Sequence, residues 1–180
     1  MAATLPNLVA RQGGLENGLT GSASVDDVLP GMLSRNAIWV RDADAPRPTE
    51  VEVSVEVARG HGGRPTPAQE RAWEVLVGRP HVARRRLLQA ALHEYRQLDE
   101  VEPGWPDPAA ATSDDLVPLV GVGEIHLQVR EKEGTAYLTI HADLRWRRGG
   151  LGVLLHRERL VGTLDPENRD DHLAQQDGGR

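Results

Sequence analysis

The chain has 180 residues, a formal net charge of −6 at pH 7, no cysteine and no phenylalanine. The missing thiols exclude disulfides, cysteine-ligated zinc, iron–sulfur clusters and cysteine nucleophiles. The acidic balance argues against general nucleic-acid binding, which needs a basic face to displace counterions. No run approaches the ~18 apolar residues of a membrane span, and the first residues (MAATLPN) lack the basic and apolar regions of a signal peptide. A cytoplasmic protein that contacts neither membrane nor nucleic acid is expected.

In chain order, residues 1–35 are rich in Gly, Ser and Asn and predict a loosely structured start with one or two short strands. Residues 36–41 (NAIWVR) read as a strand. Residues 51–57 (VEVSVEV) alternate without fault, with four valines on one face and Glu52, Ser54 and Glu56 on the other, which is the pattern of a half-buried strand. Arg59 to Pro65 is a loop by composition. Thr66-Pro67-Ala68-Gln69 then forms a capping box, with proline at the first helical position. Trp73, Leu76 and Val77 continue as a helical stripe, and Pro80 interrupts it. A second helix is predicted from His81 to Leu98, with Leu88, Ala91, Leu92, Tyr95 and Leu98 on one face.

After a proline-broken connection, Ser113 is placed to cap a short helical turn over Asp114 to Leu119. A meander follows. Glu124 to Arg130 and Thr135 to Trp146 both alternate, with a hairpin turn at Glu133-Gly134; Gly149-Gly150 marks a second turn, before strands at 151–156 and 160–164. The predicted fold is α+β, a mostly antiparallel sheet ending in a C-terminal meander, with a helix pair packed on one face. It forms a single domain over residues 1–164, and the acidic tail 165–180 is expected to be disordered.

One constellation carries chemistry. His126, His141 and His156 are spaced by fifteen residues each time. Turns at 133–134 and at 148–149 would place His126 opposite His141, Glu124 opposite Asp143, and His141 opposite His156. Opposed residues have Cβ atoms about 4.5–5.5 Å apart, so three histidines and two carboxylates would form a row on the polar face. Imidazoles and carboxylates are ligands for zinc or a similar divalent metal, and a metal-bound water supports hydrolysis. The plainer reading is a polar sheet face that carries such residues for solubility. No H-E-x-x-H, Gly-x-Ser-x-Gly or phosphate-loop motif is present, so neither a cofactor nor a catalytic residue is predicted. Arg84-Arg85-Arg86 reads as a solvated helix face sooner than as a patch for an acidic partner, and His61, His81, His93 and His172 as loop or surface residues.

From Val77 onward the sequence resembles an uncharacterised bacterial domain family. The resemblance is carried by LLQAALHEY (87–95), ATSDDL (111–116), EIHL (124–127), AYLTI (136–140) and WRRGGLGVLLHRERLVG (146–162). Family members have an acidic turn with a histidine where this chain has Arg147-Arg148-Gly149, which puts any role of that histidine or those acids in doubt here. The resemblance implies an α+β fold in a bacterial, cytosolic setting and brings no activity with it. A non-enzymatic protein-interaction role is therefore expected, with an immunity-like protein that binds a toxin as one form. An acidic surface would steer a basic partner. A metal-binding protein or metal-dependent hydrolase using the histidine row is the alternative.

Overall fold

The computed structural model describes residues 4–10, 18–40, 45–57, 63–164 and 172–179. An eight-stranded sheet organises them. Its strands are β1 (Val9–Ala10), β2 (Gly18–Ser24), β3 (Leu33–Ser34), β4 (Glu50–Glu56), β5 (Val120–Lys132), β6 (Thr135–Leu144), β7 (Arg147–His156) and β8 (Arg159–Leu164). The order across the sheet is β1-β2-β4-β5-β6-β7-β8, with β3 pairing β5 off this path. Pairing is antiparallel except for β3–β5 and β4–β5. A parallel neighbour needs a long crossover, and here the crossover from β4 to β5 contains the helix pair, α2 (Pro67–Gly78) and α3 (Pro80–Tyr95); a short α1 (Val25–Val28) precedes them and α4 (His172–Gln176) ends the described chain.

The α+β architecture with its antiparallel meander is as expected. The valines of β4 at 51, 53 and 55 are buried, together with Ile125 and Leu127 of β5, Leu138 and Ile140 of β6, and Val153 and Leu155 of β7. Trp73 and Leu76 of α2 and Leu87, Leu88, Ala91 and Tyr95 of α3 complete this core. Both helices thus cover one face of the sheet, α2 over β5 and β6 and α3 over β7. The capping box forms: Thr66 Oγ1 accepts from the Gln69 amide at 3.3 Å, and Gln69 Oε1 accepts from the Thr66 amide at 2.8 Å. No helix among the described residues is long and apolar enough to cross a membrane.

Several local expectations are corrected. Residues 37–39 form a single 3-10 turn in place of a strand; Arg41, like His61 and residues 165–171, lies outside the described residues. Ser113 has helical backbone angles and makes no capping bond; Asp115 instead ties the turn to the preceding residue by accepting from the amide and hydroxyl of Thr112. Within the tail expected to be disordered, α4 packs Ala174 and Leu173 against Tyr137, Leu154, Val161 and Leu164, forming a second small apolar cluster.

The second turn of the meander moves. The β6–β7 connection is Arg145-Trp146, between paired Leu144 and Arg147, and not Arg148-Gly149. Gly149 and Gly150 do have positive φ, 88° and 72°, but they lie inside β7, where Arg148, Gly149 and Gly150 bulge opposite Asp143. A Cβ at Gly150 would run into the carbonyl oxygen of Ala142. The glycine pair marks a bulge that a single-sequence reading takes for a turn.

Candidate functional site

The first turn lies where expected: Glu133 and Gly134 have φ of 51° and 72°, and Lys132 pairs with Thr135. Beyond it the register changes. Between Glu131 and Leu127 strand β5 gains two residues on β6, so Leu127 faces Leu138, His126 faces Thr139 and Glu124 faces His141. Gln69 explains why this slip is stable. Fully buried, its Nε2 donates to the carbonyls of Leu127 at 3.3 Å and Gln128 at 3.1 Å, and to Glu56 O at 2.8 Å. Glu56 Oε2 accepts from the Val129 amide at 2.8 Å. Backbone groups that the bulge takes out of the ladder are thus satisfied from α2 and from the end of β4.

The histidine row is not assembled. His126 and His141 share the sheet face away from the helix pair, offset diagonally. His141 lies opposite Gly152, and His156 lies opposite Tyr137. Four residues of β7 separate those positions, about 13 Å at the rise of a strand. His156 is buried, with Nε2 2.9 Å from Lys132 O and its ring tilted against Tyr137. Asp143 faces Gly121 and pairs with Arg35 at 3.0 Å. Among the described residues no group of three or more His, Cys, Asp or Glu is placed to hold a metal ion.

What the polar face does hold is a hydrogen-bonded triplet. In the parallel pairing Ser54 lies beside His126. The Ser54 hydroxyl donates to Glu124 Oε1, and its oxygen is 2.7 Å from His126 Nδ1. With the hydroxyl proton directed at the carboxylate, the oxygen is left to accept from His126 Nδ1–H. The order carboxylate–serine–histidine is the reverse of a nucleophilic relay, in which the imidazole removes the serine proton. Ser54 is also buried. This triplet ties β4 to β5.

A different site is open to ligands. At the end of the sheet where β6 turns into β7, Arg35, Trp39, Arg145, Trp146, Arg147 and Arg148, with Gly149 and Gly150, line an open cleft of about 570 Å³. Arg35 is brought there by its amide, which donates to Val122 O at 2.6 Å, and its guanidinium lies over Gly123, where a Cβ would meet it at 2.6 Å. Trp146 packs edge-on to Tyr95, ring centroids 4.9 Å apart, which fixes the turn against α3. Arg145 stands between two indoles, 6.0 Å from the Trp39 centroid and 5.7 Å from that of Trp105. Trp39 is 54% exposed. Such a tryptophan loses water-accessible apolar surface only when something covers it.

The charges of the cleft are unevenly matched. Arg35 is offset by Asp143, and Arg147 by Glu94 at 3.0 Å. Arg145 and Arg148 have no carboxylate partner among the described residues. The residues of this cleft escaped the sequence reading: Trp39 was placed in a strand, and 145–148 were assigned to a strand end and a turn. The readable signal was a tryptophan embedded in arginines, R-W-R-R at 145–148, a composition suited to cation–π contact.

A family model described as Domain of unknown function (DUF6985) matches residues 34–169. That span holds the whole cleft, the Ser54 triplet and the meander. No curated protein and no solved structure matches the chain.

Proposed function

The chain belongs to the DUF6985 family, domains of unknown function, and from that premise we propose that it acts as a non-enzymatic protein-interaction domain whose contact surface is the tryptophan–arginine cleft. The observation that carries this reading is Trp39, a large apolar side chain left half exposed beside Arg145 and Arg148. Tryptophan and arginine are the residues that dominate interface energetics, because each covers a large area with little conformational freedom to lose. A domain of the immunity type, which neutralises a toxin by covering it, is one form of this role.

Affinity capture from cells of the source organism tests the proposal, using the wild-type chain and a Trp39→Ala variant whose fold is verified by circular dichroism. A stoichiometric protein partner is expected on the wild type. Loss of a hot-spot tryptophan weakens binding by about thirtyfold or more, so the variant should release it. A partner held equally by both proteins, or none enriched at all, would overturn the assignment of this surface.

A further inference from the structure

We infer that the cleft takes a peptide segment bearing carboxylates, an acidic stretch of the partner, with Arg148 and Arg145 as its anion-binding residues. This rests on the protein-interaction reading above and adds the chemistry of the bound segment. The argument begins with charge. The chain as a whole is negative, −6, yet the cleft combines four arginines with Asp143. Once Asp143 and Glu94 are assigned to Arg35 and Arg147, two guanidinium charges have no carboxylate partner among the described residues. Arg148 is exposed and makes no hydrogen bond or ion pair among the described residues. Arg145 has its charge against indole faces, which attract a cation without neutralising it.

Geometry narrows the ligand. A guanidinium presents paired donors in a plane that matches the two oxygens of a carboxylate. The cleft is wide and open, bordered by the exposed Trp39, so a chain carrying both acidic and apolar side chains fits it better than a small compact anion. Gly149 and Gly150 line the cleft with positive φ, and the close Ala142 carbonyl leaves no room for a Cβ at Gly150.

The test uses a hexaglutamate peptide as probe, hexalysine as its control and inorganic phosphate as competitor, read by tryptophan fluorescence and by calorimetry on the full chain. Hexaglutamate should bind saturably and hexalysine should not compete for the cleft. Arg148→Glu should weaken the complex by about tenfold or more, as expected for loss of a charge-assisted bond. Because Arg148 is exposed and makes no hydrogen bond or ion pair among the described residues, this variant should keep the wild-type spectrum; Arg148→Ala, with a smaller loss, serves as a second check. Absence of hexaglutamate binding, or equal binding by Arg148→Glu, overturns the inference. So does saturable phosphate binding without peptide binding, which would assign the cleft to a free anion. A Trp39-dependent partner captured by a protein that ignores hexaglutamate removes this inference alone; hexaglutamate binding without any Trp39-dependent partner removes the functional reading.

Discussion

Single residues of this protein carry two tasks at once, and Gln69 is the clearest case. Its backbone and carbonyl oxygen close the capping box of α2, while its amide nitrogen serves three carbonyls, two at the β5 bulge and one at the end of β4. The first task was legible, since Thr-Pro-x-Gln is a local pattern. The second was not, because its partners lie 13, 58 and 59 residues away. The two tasks separate by mutation. Thr66→Ala removes the cap alone and should cost about 1 kcal/mol. Gln69→Ala also leaves buried carbonyls unpaired and should cost about 3 kcal/mol. Urea denaturation with an unchanged slope measures both; equal losses would show that the bulge contacts contribute nothing.

At the scale of elements, α4 depends on one carboxylate. Asp177, just past the helix, accepts from Arg159, from the Tyr137 hydroxyl at 2.9 Å and from Lys132 Nζ at 3.3 Å. Arg159 first, then Tyr137 and Lys132, hold its pKa down to about 2, against the partial burial that raises it. Burial and the same hydrogen bond push Tyr137 up to about 12. A depressed carboxylate stabilises the folded form above its ordinary pKa near 3.8, and that contribution fades as pH falls from there through about 2. Acid titration by carbon NMR should therefore give Asp177 a midpoint near 2. The Tyr137 ring signals should move with the same midpoint, and Asp177→Asn should abolish that movement. A midpoint at the ordinary aspartate value would mean that the latch does not form. The tail's acidic, polar composition concealed this helix, since its apolar contribution is only Leu173 and Ala174.

For the whole molecule, the sign of the net charge and the sign of the cleft disagree, and distance decides between them. Beyond a Debye length of about 10 Å a partner meets the acidic field of the chain; within it, the arginines. An acidic segment should thus gain nothing from long-range steering. Raising salt from about 50 to about 300 mM is expected to accelerate dissociation from the cleft, while the association rate holds steady or rises. Stopped-flow binding of the captured partner checks this. An association rate that falls steeply with salt would point to a basic partner steered by the acidic surface, as composition alone suggested.

Patterns that are local belong to the sequence. The alternation of residues 51–57, the capping box, the proline between the helices, and the Glu133-Gly134 turn each need only near neighbours, and all of them stand in the structure. Those patterns were sufficient for the α+β class and for the helix pair on one face of a mostly antiparallel sheet. Register was beyond them. The β5 bulge held by Gln69 and Glu56 moves His126 off His141, and the β6–β7 turn at Arg145-Trp146 moves His156 off His141, without altering the alternation of apolar and polar residues along a strand. A shift of two residues keeps every side chain on its own face, so the polar face was identified while its partners were not. The cleft lies further still from sequence logic: Arg35, Trp39 and residues 143–150 meet only because β3 pairs with β5 beside the β6–β7 turn. Tertiary structure decided the site because its residues come from segments that share no local period and are joined by the sheet alone.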